Sequence, residues 1–255
     1  MIDVFKNSTA VVTGGASGLG SATASALADA GMHVAIFDLN EEAGSSLAEK
    51  LEGKFFRTDV SDPQNVEASL ASVANSGPLR VLVNCAGIGG AAKTVSRGMP
   101  HDPALFERTI RVNLMGSFNC ASQAAALMVA SEPCDADGAR GVIVNTASVA
   151  AFDGQVGQLA YSASKGGIVG MTLPMARDLA DKGIRVCTIA PGLFKTPLLS
   201  ELPDDVQRSL GAQVPFPSRL GAADEYAKLV LSIIDNPMLN GETIRLDGGI
   251  RMAPR

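Results

Sequence analysis

The stretch that decides the fold is residues 9–20, which read TAVVTGGASGLG. Its first part, Thr9–Thr13, is rich in β-branched residues and predicts a buried strand. Glycine follows at Gly14, Gly18 and Gly20, and an alanine-rich helical pattern comes next. Glycines in such a turn let the backbone come close to a pyrophosphate, and a helix N-terminus offers unpaired N–H groups to it. This strand, turn and helix therefore predict a nucleotide-binding unit.

Strand-like and helical patterns alternate along most of the remaining chain. The predicted elements are, in order, strand Val34–Asp38, helix Glu41–Leu51, a short strand near Phe55–Arg57, a helix that begins at Asp62-Pro63, strand Val81–Asn84, helix Ala104–Ala130, strand Val142–Thr146, helix Gln158–Ala180 and strand Arg185–Ile189. Such alternation specifies βαβ units and a parallel sheet that binds ligands at the carboxyl ends of its strands. We therefore expect an α/β chain with one domain over residues 1–255. Its fold is predicted to be a single-domain Rossmann fold, a doubly wound parallel sheet with helices on both faces.

Three connections are longer than this alternation needs. They span residues 88–103, 131–141 and 191–222, and the last contains five prolines. Connections of this length in a compact domain usually act as lids or binding loops. Because the third follows the end of a strand, we expect a substrate lid at about 191–222.

The composition argues against several classes of function. A formal charge of −5 and a pI of about 5.1 disfavour a broad nucleic-acid-binding surface. No apolar run reaches the ~20 residues needed to cross a bilayer, and the first residues lack a signal pattern. Four separated cysteines without a CxxC pair indicate reduced thiols and a cytoplasmic location. With only two histidines, no metal site is expected.

Asp38 ends the second predicted strand, 18 residues after Gly20. A carboxylate at this position accepts both hydroxyls of an adenosine ribose. It repels a 2′-phosphate, and neither the glycine turn nor Leu39-Asn40 offers an Arg or Lys to compensate. The position predicts NAD rather than NADP as the cofactor, with capping of the next helix as the alternative role of Asp38.

Tyr161 and Lys165 stand four residues apart in a helical pattern, which places the phenol and the ammonium on one face. An ordinary tyrosine pKa of about 10 is too high for a base at neutral pH. We expect the ammonium and the positive charge of an oxidised nicotinamide to lower this pKa. Tyr161 would then act as the acid or base that interconverts an alcohol and a carbonyl.

Further motifs accompany this pair. They are TGGASGLG (13–20), Asp59-Val60, NCAG (84–87), Asn113 within VNLMGSF, Ser148 within NTASVA, YSASK (161–165) and Pro191-Gly192 with Thr196. In this order, over essentially the whole chain, they resemble the short-chain dehydrogenase/reductase family. The resemblance implies a nicotinamide-dependent oxidoreductase that interconverts a secondary alcohol and a ketone.

The resemblance also implies roles for the matching residues. Ser148 would hydrogen-bond the reacting oxygen, and Lys165 would bind the nicotinamide ribose and tune Tyr161. Asn113 would hold a helix distortion and a proton-relay water. The implied cofactor-binding residues are Gly14, Ser17, Gly18, Leu19, Gly20, Asp38, Asp59, Val60, Cys85, Ala86, Gly87, Tyr161, Lys165, Pro191, Gly192, Phe194 and Thr196. Cys85 departs from the family pattern NNAG, and a packed thiol is an equally good interpretation of it.

Longer segments resemble a narrower group, the type 2 3-hydroxyacyl-CoA dehydrogenases, whose animal members also oxidise hydroxysteroids. They are residues 141–180, 188–199, 214–221 and 240–252. This resemblance implies oxidation of 3-hydroxyacyl-CoA to 3-oxoacyl-CoA in fatty acid metabolism. Gln155 and Gln158 are candidate substrate contacts beside Ser148 and Tyr161, although a polar loop explains them as well.

Basic residues in the connection 88–103 raise a further question about the substrate. Lys93 and Arg97 lie in this connection, which we expect beside the crevice. One hypothesis is that they meet the anionic part of a CoA thioester. The alternative is that they are solvated loop charges.

Other functions stay open. A 3-oxoacyl-carrier-protein reductase shares every catalytic residue but normally uses NADPH, which Asp38 opposes. A hydroxysteroid dehydrogenase is a second enzyme alternative. A non-catalytic nucleotide-binding scaffold subunit belongs to another class, since animal relatives of the narrower group also serve in an RNA-processing assembly. The family resemblance further implies a homotetramer, in which helices around 106–130 and 158–179 meet a partner.

Overall fold

The computed structural model describes residues 2–73, 77–196 and 203–254, with the side chains of residues 2 and 3 left out. Its centre is a sheet of seven strands, all paired in parallel, in the order β3-β2-β1-β4-β7-β8-β9. These strands are β1 (Thr9–Thr13), β2 (His33–Asp38), β3 (Lys54–Arg57), β4 (Leu79–Asn84), β7 (Gly141–Thr146), β8 (Ile184–Pro191) and β9 (Thr243–Leu246). A separate antiparallel hairpin pairs β5 (Val95–Ser96) with β6 (Met99–Pro100).

Helices connect the strands. They are α1 (Gly18–Asp29), α2 (Glu41–Lys50), α3 (Pro63–Val73), α4 (Pro103–Ile110), α5 (Gly116–Val129), α6 (Leu159–Asp178), α7 (Asp204–Gly211) and α8 (Ala223–Asp235). A π-helical turn, Arg111–Met115, joins α4 to α5, and short 3-10 turns lie at Ile2–Phe5, Val149–Ala151 and Ala180–Lys182. In the described part of the chain, no helix has both the length and the apolar character that a membrane crossing requires.

Two apolar cores lie on opposite faces of the sheet. In β1, Val12 belongs to the core beneath α1 and α8, whereas Val11 belongs to the core beneath α3 and α5. Successive strand residues point to opposite faces, so a strand with helices above and below it is buried at every position and largely apolar. The uninterrupted burial of β1, β4 and β7 follows from this arrangement. The predicted α/β fold class, a doubly wound sheet of the Rossmann type, is confirmed.

The strand order reverses between β1 and β4, which lie side by side although β2 and β3 separate them in sequence. From this point the chain leaves the sheet toward opposite sides, and a crevice opens at the carboxyl ends of the strands. The glycine turn, the NCAG segment and the residues after β7 all lie at these ends. The topology therefore brings the predicted site residues to one edge of the sheet.

The structure differs from the sequence prediction in three places. The single helix predicted at 104–130 is interrupted by the π-helical turn at Arg111–Met115. Helix α8 and strand β9 follow the last predicted strand and were not predicted, although the acidic first turn and apolar spacing of α8 were a usable signal. The predicted lid at about 191–222 contains a helix, α7, while its residues 197–202 lie outside the described residues.

Candidate active site

The glycine turn after β1 is packed too closely for side chains. A Cβ atom on Gly20 would lie 2.1 Å from the carbonyl oxygen of Gly14, and one on Gly14 would lie 2.7 Å from the backbone nitrogen of Ala86. Gly14 and Gly18 also have φ values of +62° and +53°, which favour glycine. Ser17 precedes the first residue of α1 in an extended conformation, and Leu19 lies in the first helical turn. The turn therefore presents backbone N–H groups at a helix N-terminus, which suits a pyrophosphate.

Asp38 lies at the end of β2, next to this turn. Its Oδ2 accepts a hydrogen bond from the backbone nitrogen of Ala16 at 3.0 Å, and its Oδ1 accepts one from Asn40 at 3.0 Å. These bonds hold the carboxylate beside the glycine turn. The side chain of Asn40, not that of Asp38, caps α2 by accepting from Ala43 at 3.1 Å. Capping of α2, which was the alternative role for Asp38, is therefore performed by Asn40.

The segment after β3 is ordered by its own side chains. Asn65 accepts the backbone N–H of Asp59 at 2.7 Å, and Asp59 accepts both the backbone and the hydroxyl of Ser61. The carbonyl of Val60 accepts from Asn119 at 3.0 Å. The predicted adenine-side residues thus lie on a turn that is tied to α5.

The NCAG segment contributes backbone to the crevice and a thiol to the core. Ala86 donates its backbone N–H to the hydroxyl of Thr13 at 3.1 Å. The Cys85 sulfur lies 3.7 Å from the Thr146 hydroxyl and 3.8 Å from the Tyr226 hydroxyl. Burial raises the pKa of the Cys85 thiol. The departure from NNAG therefore places a neutral thiol against buried polar groups and leaves the backbone of 85–87 beside the glycine turn.

Tyr161 lies in the first turn of α6, and the Ser148 hydroxyl is a polar neighbour of its phenol. Ser148 also begins the 3-10 turn after β7, where its Oγ accepts from Ala150 at 3.1 Å. Burial raises the pKa of Tyr161, and the neighbouring Ser148 hydroxyl opposes that rise. The lower pKa of Tyr161 that we expect from the sequence depends also on the positive charge of a bound nicotinamide, and it stays a prediction.

Lys165 is buried one helical turn further along α6. Its Nζ donates to the backbone carbonyl of Thr146 at 2.7 Å and lies 5.7 Å from the centre of the Tyr161 ring. Burial lowers the pKa of Lys165 to about 8. Gly87 is adjacent, because a Cβ there would lie 3.6 Å from Nζ. The cation is thus held beside both the phenol and the NCAG backbone.

Asn113 lies at the centre of the π-helical turn, which is the helix distortion that the resemblance implies. Its Oδ1 accepts from the backbone nitrogen of Ile88 at 2.8 Å, and its Nδ2 donates to the carbonyl of Ile88 and to Ser164, each at 3.0 Å. The side chain therefore connects α6 to the segment that leaves β4. Its role in a proton-relay water stays a prediction.

The chain matches a known family over most of its length. The family model described as short chain dehydrogenase matches residues 8–207. The chain belongs to this family. Its members are typically NAD(P)-dependent oxidoreductases.

Similar proteins cover nearly the full length of this short-chain dehydrogenase. A human protein named 3-hydroxyacyl-CoA dehydrogenase type-2 is 56% identical over 98% of this chain and 97% of its own. A protein of that name from Drosophila melanogaster is 52% identical over 98% of this chain and 100% of its own. The crystal structure of 3-hydroxyacyl-CoA dehydrogenase type-2 from Mycobacterium avium has a TM-score of 0.95, with 41% identity over 100% of both chains.

The remaining predicted cofactor residues of this short-chain dehydrogenase follow β8. Pro191 ends the strand, and Gly192 donates to the carbonyl of Leu246 at 2.9 Å. A Cβ on Gly192 would lie 2.8 Å from Cβ of Asp247. Phe194 is buried and pairs with Gly221, while Thr196 is the last described residue before position 203. The base of the predicted lid is therefore packed against β9 and residue 221.

The two candidate substrate glutamines form part of a loop, residues 152–158, between Ser148 and Tyr161. Gln158 accepts the backbone N–H of Gln155 at 3.0 Å, and the Gln155 amide donates to the carbonyl of Ala253 at 2.9 Å. Both side chains thus make contacts within the chain. Their predicted contact with substrate stays a prediction.

Several residues of the site were not singled out from the sequence. Thr146 holds Lys165 through its carbonyl, and Ser164 receives the Asn113 amide. Arg245 and Asp153 form an ion pair beside the loop 152–158. A backbone acceptor or a contact between distant residues leaves no motif in the sequence, so only Ser164, inside YSASK, carried a usable signal.

Proposed function

We propose that this short-chain dehydrogenase uses NAD to oxidise 3-hydroxyacyl-CoA to 3-oxoacyl-CoA, with Ser148, Tyr161, Lys165 and Asn113 as its site residues. The observation that carries the proposal is the position of Tyr161, beside Ser148 and with the Lys165 ammonium 5.7 Å from its ring centre, at the crevice edge. A phenol, a hydroxyl and a buried cation together suit proton transfer to and from an oxygen.

The proposed proton path begins at the substrate hydroxyl. Tyr161 takes this proton, and Ser148 orients the same oxygen by a hydrogen bond. Lys165 supplies a positive charge that favours the phenolate form of Tyr161. The chemistry that the cofactor supplies when bound is acceptance of the hydride from the carbinol carbon.

The residues present fit an NAD cofactor. Side chains at Gly14 or Gly20 would fill the space that the close backbone approach requires. Ser17, Gly18 and Leu19 would face the pyrophosphate, Asp59 and Val60 the adenine, and residues 85–87 and Lys165 the ribose of the nicotinamide. Residues 191, 192, 194 and 196 would hold the nicotinamide end. Asp38, fixed by Ala16 and Asn40, would accept the adenosine ribose hydroxyls and repel a 2′-phosphate.

The substrate class rests on similarity along the substrate side of the crevice. The proteins at 52% and 56% identity carry the name 3-hydroxyacyl-CoA dehydrogenase type-2 and align over this whole side. Loop 152–158 and the lid at about 191–222 would contact the acyl group, with Gln155 and Gln158 among the candidate contacts.

Assembly and location form part of the same proposal. We propose a homotetramer, supported by the exposed apolar side chains Met115, Phe118 and Leu173 on the helices predicted to meet a partner. Four unpaired thiols support a cytoplasmic location.

The test is a steady-state screen with NAD⁺ against 3-hydroxyacyl-CoA thioesters of increasing chain length, with a hydroxysteroid and a simple secondary alcohol alongside. We expect kcat/KM to be highest for a thioester and to fall by about a thousandfold or more in Tyr161→Phe, since this variant loses the group that accepts the proton. The thermal midpoint of the variant should stay within a few degrees of that of the parent chain.

Each alternative predicts a distinct result in this screen. More than tenfold preference for NADPH would favour a 3-oxoacyl-carrier-protein reductase. The highest kcat/KM for the steroid would favour a hydroxysteroid dehydrogenase. Absence of turnover with every substrate, in the parent and in Tyr161→Phe alike, would favour a nucleotide-binding scaffold.

A further inference from the structure

The loop 152–158 lies between Ser148 and Tyr161 and has few bonds of its own. It lies outside the helices and contains Gly157 with a φ of +92°. Within the loop, Gln155 and Gln158 exchange two hydrogen bonds, each at 3.0 Å. A short loop of this kind samples several conformations unless other parts of the chain hold it.

The segment that follows β9 supplies such contacts. Gln155 donates its side-chain amide to the carbonyl of Ala253 at 2.9 Å, and Val156 donates its backbone N–H to the carbonyl of Pro254 at 3.0 Å. These two bonds join consecutive residues of the loop to consecutive residues of the segment. We call residues 247–254 the strap.

Arg245 joins the same two parts of the chain at the other end of the loop. Its Nη2 donates to Asp153 at 2.6 Å and to the carbonyl of Ile250 at 3.0 Å, and its Nε donates to Asp247 at 2.7 Å. The guanidinium also lies 5.2 Å from the centre of the Phe152 ring. A planar fork with five donors can make all these contacts at once, whereas a lysine ammonium cannot.

The electrostatics of this ion pair favour a fixed geometry. The side chains of Arg245 and Asp153 are each only 20% exposed, which reduces screening by solvent. The hydrogen bond from Arg245 holds the pKa of Asp153 below its ordinary value. Asp247 is held in turn by Gly249, which donates to its Oδ1 at 2.9 Å. Asp153 is therefore attached to a strap that is itself ordered.

The other side of the loop is attached to the wall of the crevice. Ala92 donates to the carbonyl of Gly157 at 2.9 Å. Ile88 lies four residues before Ala92. Its backbone N–H donates to the Asn113 side chain, and its carbonyl accepts from the same side chain. The loop thus lies between the strap and a segment fixed by a proposed site residue.

We propose that Arg245 and the strap are positioning elements for the substrate: they hold loop 152–158 in the one conformation that lets substrate lie against Ser148 and Tyr161. This inference rests on the proposed function, which places the substrate beside those residues. It requires that loosening the loop weakens substrate binding and leaves cofactor binding unchanged, since the strap approaches the proposed cofactor residues at Gly192, beside Asp247, and the variants below alter neither of these two residues.

Two variants test the proposal. The first is the chain ended after Met252, which removes the acceptor carbonyls of Ala253 and Pro254; its control is the chain ended after Pro254. The second is Asp153→Asn, which removes one charge; its control is Asp224→Asn, which removes the exposed ion pair with Lys228 on α8.

Hydrogen exchange and steady-state kinetics are measured on these four chains, on Arg245→Lys and on the unchanged chain. In the two test variants, amide exchange in peptides covering 152–158 should accelerate about tenfold, because the acceptor or the anchoring charge is lost. KM for the hydroxyacyl substrate should rise about three- to tenfold, while KM for NAD⁺ stays within twofold. Arg245→Lys should reproduce part of the effect, since it keeps the charge and loses the fork.

Unchanged exchange in 152–158 would overturn the proposal. Faster exchange in 152–158 with an unchanged substrate KM would also overturn it. A lower thermal midpoint, without a larger change in the substrate KM than in the KM for NAD⁺, would show that the strap has only a structural role. If the unchanged chain turns over no thioester, the proposed function fails. The inference about the strap is then tested separately, by comparing the exchange in 152–158 and the KM for the steroid or the simple alcohol between the test variants and their controls.

Discussion

The two sides of the crevice are built in different ways. On the cofactor side, the glycine turn and Asp38 stand at the ends of adjacent strands, and their bonds join residues of neighbouring turns. On the substrate side, the loop 152–158 is held by Arg245 and Ala253, which lie 92 and 98 residues from their partners along the chain. The first side depends on regular structure, and the second depends on contacts between distant segments.

The difference follows from what each side must bind. A dinucleotide has phosphates that backbone N–H groups at a helix N-terminus recognise, so a strand, a turn and a helix are sufficient. A substrate needs side chains at particular positions, and loops carried by a rigid scaffold supply them. Relatives that share the cofactor side can therefore differ in substrate through the loops and the strap.

The largest effect on stability that we expect concerns Lys165, which lies where the two sides meet. Its pKa of about 8 in the folded chain is below the ordinary value of 10.5. The unfolded chain therefore binds this proton more tightly, so the lysine reduces stability below pH 8, and that cost disappears as pH rises from 8 to 10.5. We expect the parent to gain about 3 kcal/mol relative to Lys165→Met across this window.

The measurement is urea unfolding of both chains at several pH values. Taking the difference between the chains cancels the contribution of the buried thiols, which titrate in the same range. An equal pH dependence in the two chains would contradict the expected lowering of the Lys165 pKa.

A smaller effect is expected at Asp38, on the cofactor side alone. Asp38→Asn loses the charge and keeps one of the two side-chain oxygens that accept from Ala16 and Asn40. We expect the ratio of kcat/KM for NADP⁺ to that for NAD⁺ to rise about tenfold, because a 2′-phosphate no longer meets a like charge. KM for the hydroxyacyl substrate should not change. A changed KM for the hydroxyacyl substrate, with an unchanged preference between NAD⁺ and NADP⁺, would contradict the assignment of Asp38 to the cofactor side alone.

The smallest effect is expected at Lys93 and Arg97, which are exposed at the base and tip of the β5–β6 hairpin. Reversal of both charges, as Lys93→Glu with Arg97→Glu, should raise KM for a CoA thioester about threefold, since exposed charges act weakly through solvent. A short uncharged alcohol is the control substrate and should keep its KM. An equal rise in KM for both substrates would show that this hairpin does not recognise the CoA part of the substrate.

The π-helical turn shows how far sequence patterns reach. Apolar spacing predicts one helix over 104–130, and the ends of α4 and α5 agree with that prediction. Spacing alone does not predict the π-helical turn, because the Asn113 side chain bonds to Ile88, which is remote in sequence. The family motif implied a distortion at Asn113. The partners that maintain it appear only in the folded chain.

The sequence by itself determined the alternation of strands and helices, the glycine turn, the carboxylate at position 38 and the spacing of Ser148, Tyr161 and Lys165. Each of these depends on local propensity or on residues within a few turns of one another. The tertiary structure alone decided that Thr146 holds Lys165, that burial lowers the pKa of Lys165, and that Arg245 binds Asp153. These features arise when segments far apart in sequence pack together and exclude water, which no local pattern encodes.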